Sequence, residues 1–116
     1  MKEENVILTK SYDFANRTVK LYRFLCDDKE FVLSQQLLRS GTSVGANVRE
    51  AQRAASRKDF VAKLNIALKE AYETEYWLEL LRDNSYITEK QFDSMFSDCR
   101  ELTNILSRII ITSKQE

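Results

Sequence analysis

Residues 39–51 read RSGTSVGANVREA, and this stretch decides how the chain folds. It contains both glycines of the protein, yet its apolar residues recur with the spacing of a helix. Small or branched side chains alternate at intervals of four and three residues, at Leu37, Gly41, Val44, Val48, Ala51 and Ala55. A glycine inside a helix costs about 0.5–1 kcal/mol relative to alanine. We therefore predict that a neighbouring helix approaches closely on this face and offsets that cost.

A stripe of polar residues flanks the small-residue face of this segment. Its side chains either form an interhelical hydrogen-bond network that fixes the helix register, or line a polar pocket for a partner. Arg39 lies too far along the helix to pair with Glu50, so we predict another partner for its guanidinium. The predicted helix-packing motif consists of Arg39, Ser40, Gly41, Ser43, Gly45, Asn47 and Glu50.

Helical periodicity extends over nearly the whole chain and predicts four helices, at about residues 9–26, 29–54, 57–83 and 88–113. Asp27 with Glu30, and Thr88 with Gln91, read as capping boxes, and Ser56 reads as a hydroxyl cap. Helices of this length joined by short turns fold back on each other. We therefore predict an all-α, antiparallel up-down-up-down four-helix bundle that forms a single domain over residues 1–116.

The charge of the chain is balanced overall but unevenly spread. Its 116 residues carry 18 basic and 18 acidic side chains, which gives a formal net charge of zero. Residues 1–58 hold 11 basic and 7 acidic side chains, whereas residues 59–116 hold 7 basic and 11 acidic ones. A neutral chain argues against a dedicated, strongly basic nucleic-acid binder but leaves room for a local basic patch.

Cysteine usage and the N-terminal sequence point to the cytoplasm. The first residues, MKEEN, lack the basic start of a signal peptide, and no apolar run approaches a membrane span. Cys26 and Cys99 make no metal-type or redox-type spacing. Their predicted heights in the bundle differ by about 16 Å, at a rise of about 1.5 Å per residue. We therefore predict two free thiols.

The third helix carries more apolar side chains than one core face requires. A second row beside its main stripe consists of Val61, Leu68, Tyr72 and Tyr76, with Trp77 adjoining. This row is either the edge of a wide core-facing surface or a subunit interface, since apolar rows rimmed by charge mark association surfaces.

No catalytic apparatus can be read from the sequence. The chain has no histidine, which removes the commonest general base and the commonest transition-metal ligand. The carboxylates of the third helix, such as Glu73 and Glu79, fit a solvated face with Lys69 and Arg82 in helical spacing. No phosphate-binding loop or nucleophile motif occurs. We therefore expect a protein that is not an enzyme and that holds no metal or cofactor.

A cluster of basic residues surrounds the predicted turn between helices two and three. Five positive charges within about four helical turns can grip a phosphate backbone. Arginines at the C-terminal end of a helix also favour its dipole, so a solvated structural role is the alternative. Aromatic residues are not interleaved with the cluster, which favours contact with the backbone over reading of bases. The candidate RNA-binding residues are Arg49, Arg53, Arg57, Lys58 and Lys63.

Residues 38–51, LRSGTSVGANVREA, resemble the hallmark segment of the 23S rRNA intervening-sequence protein family. The resemblance continues in residues 60–64, 67–71 and 75–78, and residues 11–15 are similar to the opening helix of the family. It covers almost the whole chain. The sequence departs from the family pattern at Arg49 and Ala51, where an alanine and a glycine are expected around the matching Glu50.

The resemblance implies a small bacterial four-helix bundle that assembles into a ring-like homopentamer. It also implies a role with ribosomal RNA, because genes of the family were noticed within insertions in ribosomal RNA genes. A related branch comprises accessory proteins of diversity-generating retroelements, strongly basic barrels that bind a reverse transcriptase and RNA. The zero net charge of this chain departs from that branch.

Residues and resemblance together predict a non-enzymatic, self-associating binding or scaffold protein with structured RNA as its leading ligand. The alternative is a protein adaptor without nucleic-acid contact, such as a partner of a reverse transcriptase. In that case Tyr72, Tyr76 and Trp77, or the ends of the bundle, would supply the contact surface.

Overall fold

The computed structural model of the chain describes residues 2–115, and this range folds into four helices without strands. They are α1 (Lys2–Asp27), α2 (Leu33–Ala51), α3 (Arg57–Asp83) and α4 (Glu89–Gln115). Each helix packs against the next along the chain, and α4 returns to pack against α1. The result is an elongated bundle of 47 × 21 × 19 Å. The predicted all-α, up-down-up-down four-helix bundle is confirmed.

Helix α1 begins at Lys2 rather than at about residue 9, and a longer apolar stripe is the reason. Ile7 is fully buried and extends the buried series of Ser11, Phe14 and Thr18 by one turn. Glu3 and Glu4 in the first turn favour the positive end of the helix dipole. The predicted start followed the first capping-type residues and missed the turn that precedes them.

The turn between α1 and α2 differs from the prediction. Lys29 has a left-handed backbone with φ of 64°, so the chain leaves the helical path where helix two was expected to begin. The backbone N–H of Glu30 bonds to the carbonyl of Leu25 at 2.8 Å, and that of Lys29 bonds to the carbonyl of Cys26 at 2.9 Å. This pattern is a Schellman motif that closes α1.

Glu30 caps α2 by itself, and the predicted capping box with Asp27 is wrong, because Asp27 is the last residue of α1. The Glu30 carboxylate accepts the backbone N–H groups of Val32, Leu33 and Ser34 at 3.2, 3.1 and 2.6 Å. Burial acts to raise the pKa of the Glu30 carboxyl, but these hydrogen bonds outweigh it and hold the pKa below its ordinary value.

The other two predicted helix starts are confirmed. Ser56 has an extended backbone, and its hydroxyl accepts the N–H of Asp59 at 3.1 Å. Thr88 and Gln91 form a reciprocal capping box with bonds of 2.8 and 3.1 Å. Helix α2 ends at Ala51 rather than at residue 54. Bonds from each N–H to the carbonyl three residues earlier tighten the chain after it into a turn over residues 52–54.

The small-residue face of α2 packs closely against α1, as predicted. A Cβ atom added at Gly41 would lie 2.6 Å from Cγ2 of Thr18, and one added at Gly45 would lie 3.1 Å from the carbonyl oxygen of Ser11. Leu37, Val44 and Val48, on the same face, are fully buried. Close approach of α1 therefore accounts for both glycines.

The two cysteines are free thiols. Cys99 lies in the core, where its Sγ atom contacts the carbonyl oxygen of Ala71 at 3.2 Å. Burial raises the pKa of the Cys99 thiol to about 12, so it stays protonated and packs as a small apolar group.

Candidate nucleic-acid interface

The predicted basic cluster lies at the end of the bundle where the α2–α3 turn is found. Arg49 lies in the last turn of α2, Arg53 in the turn itself, and Arg57 and Lys58 at the start of α3. The side chains of all four are exposed, whereas Lys63, further along α3, is half-buried. Four of the five basic side chains are therefore exposed to solvent, and Lys63 lies apart from them on α3.

The turn that carries these residues is fixed by its own hydrogen bonds. The Ser56 hydroxyl caps α3, and the Asp59 carboxylate accepts the N–H of Ala55 at 3.3 Å in return. Asp59 thereby bonds to the backbone of its own turn. The N-terminal end of α3 adds the positive end of a helix dipole to the same surface.

The structure divides the cluster between two adjoining depressions. Arg49 and Arg53 line a groove of about 480 Å³ between α1 and α2. Arg57 lines a second hollow at the bundle end, with Phe60 and Glu4. Only Arg49 and Arg53 therefore share one concave surface.

The groove between α1 and α2 owes its depth to small side chains. Ala15 of α1 and Gly45 and Ala46 of α2 contribute no atom beyond Cβ to its lining. The same glycine that lets the helices approach also leaves the outer side of their contact open. Glu50 lines the groove as well, so a carboxylate stands between the two arginines in sequence and beside them in space.

Tyr12 of α1 is the functional candidate that sequence reasoning missed. Its ring is 53% exposed and lines the groove, and the guanidinium carbon of Arg49 lies 5.4 Å from the ring centroid. Tyr12 therefore brings an exposed aromatic side chain from α1 to the cluster, which the order of residues within the cluster could not show. Tyr12 follows Ser11, and Ser11 faces Gly45 of α2. The antiparallel pairing of α1 with α2 is therefore the signal that could have placed Tyr12 near Arg49.

The polar stripe of α2, which comprises Ser40, Ser43, Asn47 and Glu50, makes a single hydrogen bond to another helix instead of a network, and Glu50 lines the groove. Within this stripe, only Ser40 bonds to another helix, where its Oγ accepts a bond of 2.8 Å from the Thr74 hydroxyl of α3. Ser43 donates to the carbonyl of Arg39 at 2.6 Å and Asn47 to that of Ser43 at 2.9 Å, both within α2. Glu50 is exposed. Asn47 is half-buried, and its side-chain amide bonds to the backbone of its own helix. Residue spacing alone does not reveal this choice of partner.

Arg39 has the separate partner that was predicted for it. Its guanidinium pairs with Glu70 at 3.1 Å and with Glu73, both on α3. The indole N–H of Trp77 donates to the same Glu73 carboxylate at 2.9 Å. These ion pairs join α2 to α3, and Glu73 also holds the indole ring of Trp77 in place.

The predicted apolar row on α3 is partly core and partly surface. Val61 lies in the core of the single chain, and Leu68 and Trp77 are half-buried against it. Tyr72 and Tyr76 are 51% and 55% exposed. Ile66, which the sequence reading did not include, is exposed on the same helix. Any contact with another protein on this face would therefore centre on the two tyrosines.

The carboxylates of residues 2–115 assemble no metal site, since no three potential ligands converge there. The one buried carboxylate of α3, Glu75, forms a two-bond ion pair with Arg100 of α4, at 3.1 Å for each bond. That pair explains its burial. No helix in this part of the chain has the length and apolar character to cross a membrane.

The fold and its surfaces define an all-α four-helix bundle protein with an arginine-lined groove at one end. Residues 3–108 match the family model described as 23S rRNA-intervening sequence protein, and the chain belongs to that family. Comparison with proteins that have curated descriptions gives no match.

A solved structure supports the assignment. It is the crystal structure of a protein of unknown function from the S23 ribosomal protein family of Bacteroides thetaiotaomicron. That protein is 58% identical to this chain, and the match covers 93% of this chain and 97% of the other with a TM-score of 0.92. The predicted family resemblance is confirmed.

Proposed function

We propose that the protein is a non-enzymatic, self-associating binding module of the cytoplasm that contacts structured ribosomal RNA through the α2–α3 end of the bundle. The observation that carries the proposal is the exposure of Arg49, Arg53 and Lys58 around one short turn. The family description, which refers to an intervening sequence of 23S rRNA, agrees with such a ligand.

Local charge supports phosphate contact despite the neutral whole. Arg49 and Arg53 line one groove, and Lys58 is exposed at the start of α3. Of the neighbouring acids, Asp59 is held by the backbone of its own turn. Glu50 remains beside the arginines and limits how many phosphates they can neutralise.

Self-association is the second part of the proposal, and the exposed Tyr72 and Tyr76 support it. Two large aromatic side chains one helical turn apart form an apolar surface of the kind that oligomers cover. The family resemblance implies a ring of five subunits. The same row supports the alternative function, a protein adaptor without RNA contact, if the partner is a different chain.

The test of RNA contact is binding of the purified protein to structured ribosomal RNA as a function of salt. Three side chains that each neutralise one phosphate would make affinity fall roughly 20- to 40-fold between about 50 and 200 mM salt. An Arg53→Glu/Lys58→Glu variant should lose this binding. A Lys20→Glu/Arg23→Glu variant, with the same charge change on exposed residues of α1 distant from the turn, should keep it.

The outcomes separate the two functions. Salt-sensitive binding that only the first variant loses supports the RNA proposal. Absence of binding even at low salt would rule out RNA contact by the isolated protein and leave the adaptor function. A protein contact through Tyr72 and Tyr76 would be insensitive to the charge variants, because burial of apolar surface depends little on screening.

A further inference from the structure

We propose that the groove between α1 and α2 binds an unpaired nucleobase, stacked against Tyr12 and Arg49, while Arg53 holds the adjacent phosphate. The inference rests on the proposed RNA function and deepens it. Contact with the RNA would then include recognition of an unpaired base as well as electrostatic contact with the backbone.

The pairing of Tyr12 with Arg49 is the first observation. The guanidinium lies 5.4 Å from the centre of a ring that is still half exposed. Both a tyrosine ring and a guanidinium plane stack on bases, and RNA-binding proteins use both to hold bases that have left a helix. Here both groups line the same groove.

The shape of the groove is the second observation. Ala15, Gly45 and Ala46 contribute no long side chain to its lining, and its volume of about 480 Å³ leaves room for a flat ring system beside Tyr12. A base inside a duplex is stacked on both faces and cannot enter, whereas a base in a loop or bulge can be turned out. The groove therefore favours RNA with unpaired positions.

The charges at the groove are the third observation, and they favour a nucleotide over an apolar peptide side chain. Arg53 lines the groove one helical turn beyond Arg49. An inserted base brings its own phosphate, and a guanidinium pairs with phosphate through charge-assisted bonds. Glu50 in the same lining can accept a hydrogen bond from the edge of a base.

The experiment uses two RNA probes and the full chain. One probe is a hairpin with a single 2-aminopurine, a fluorescent base, in an unpaired loop. The other is a fully paired duplex of the same stem length. Affinity is measured by anisotropy, and stacking is measured by quenching of the 2-aminopurine fluorescence. Thermal melts verify that each variant is folded.

Tyr12→Ala should weaken hairpin binding about 5- to 150-fold, the range for loss of one base–aromatic stack, and should abolish the quenching. Tyr12→Phe keeps the ring and should retain both affinity and quenching. Neither variant should change binding of the duplex. Arg53→Glu/Lys58→Glu should weaken binding of both probes.

Three results would overturn the inference, and they bear differently on the proposed function. If Tyr12→Ala binds the hairpin as tightly as the unchanged protein, or if binding causes no quenching, no base occupies the groove. The RNA proposal then still stands, provided that the charge variant loses both probes. If the unchanged protein binds neither probe at low salt, both proposals fail and the groove is open to a protein side chain.

Discussion

Gly41 lies on the face of α2 that packs against α1, and the side chain of Thr18 is its nearest neighbour there. Thr18 is fully buried, and its hydroxyl donates to the Phe14 carbonyl at 2.9 Å, which fixes its rotamer. The closest atoms to an added Cβ would be Cγ2 and Oγ1 of Thr18, at 2.6 and 2.7 Å, and Cβ of Thr18 would follow at 3.1 Å. A methyl group at Gly41 therefore meets a side chain that has no free direction in which to move.

We expect Gly41→Ala to destabilise the protein by about 1–3 kcal/mol through overpacking, although alanine favours a helix by about 1 kcal/mol. Urea unfolding followed by circular dichroism measures the change. In a Thr18→Ala background, which lacks Cγ2 and the hydroxyl, the same substitution should cost clearly less. A stabilised Gly41→Ala variant would show that α1 moves away without loss and that close approach does not explain this glycine.

At the scale of the helices, the sequence predicts where a helix exists better than where it begins. The caps at Ser56 and Thr88 were predicted because the capping residue and its partner lie within one local pattern. Asp27 and Glu30 have the same spacing, yet α1 continues through Asp27 and the left-handed Lys29 redirects the chain. Residue spacing does not determine which backbone N–H groups a carboxylate will reach, since that depends on the path of the turn.

We expect the Glu30 cap to make the stability of the bundle depend on pH. The folded state lowers the pKa of this carboxyl, so its contribution is complete above the unfolded pKa and is lost as pH falls through the folded pKa. Glu30→Gln should cost about 0.5–2 kcal/mol near pH 7, and the difference from the unchanged protein should shrink in acid.

Unfolding by urea between pH 7 and pH 2 measures this difference directly. Asp27→Asn, at the exposed end of α1, controls for the general effect of removing a negative charge at this end of the bundle. A Glu30→Gln difference that stays constant across the range would mean that the charge of the carboxylate adds nothing to the cap.

At the scale of the molecule, the two surfaces of interest were predictable to different degrees. The basic residues of the α2–α3 turn lie close together in sequence, so their clustering could be read directly. The groove could not, because Tyr12 and Ala15 come from α1 and meet Arg49 only through the pairing of two antiparallel helices. The spacing of apolar residues identifies the buried face of each helix. It does not show which solvent-facing residues of two neighbouring helices lie next to each other.

The exposed row on α3 leads to the prediction for the assembly as a whole. Val61 is buried in the core, so an interface on this face would rest on Tyr72 and Tyr76, which are both more than half exposed in the single chain. We expect the unchanged protein to be an oligomer in light scattering or sedimentation, and Tyr72→Ser/Tyr76→Ser to lower its mass towards that of one 13.6 kDa chain. Trp77 should stay in place in this variant, because Glu73 holds its indole N–H.

The matched control is Phe31→Ser/Val32→Ser, which removes two apolar side chains that are exposed at the turn between α1 and α2. Thermal unfolding of both variants separates loss of assembly from loss of fold. If the tyrosine variant keeps the mass of the unchanged protein while the control becomes smaller, subunits meet at the end of the bundle instead. If the unchanged protein is a monomer at every concentration, the row on α3 is left for a different chain, and the adaptor function gains its first support.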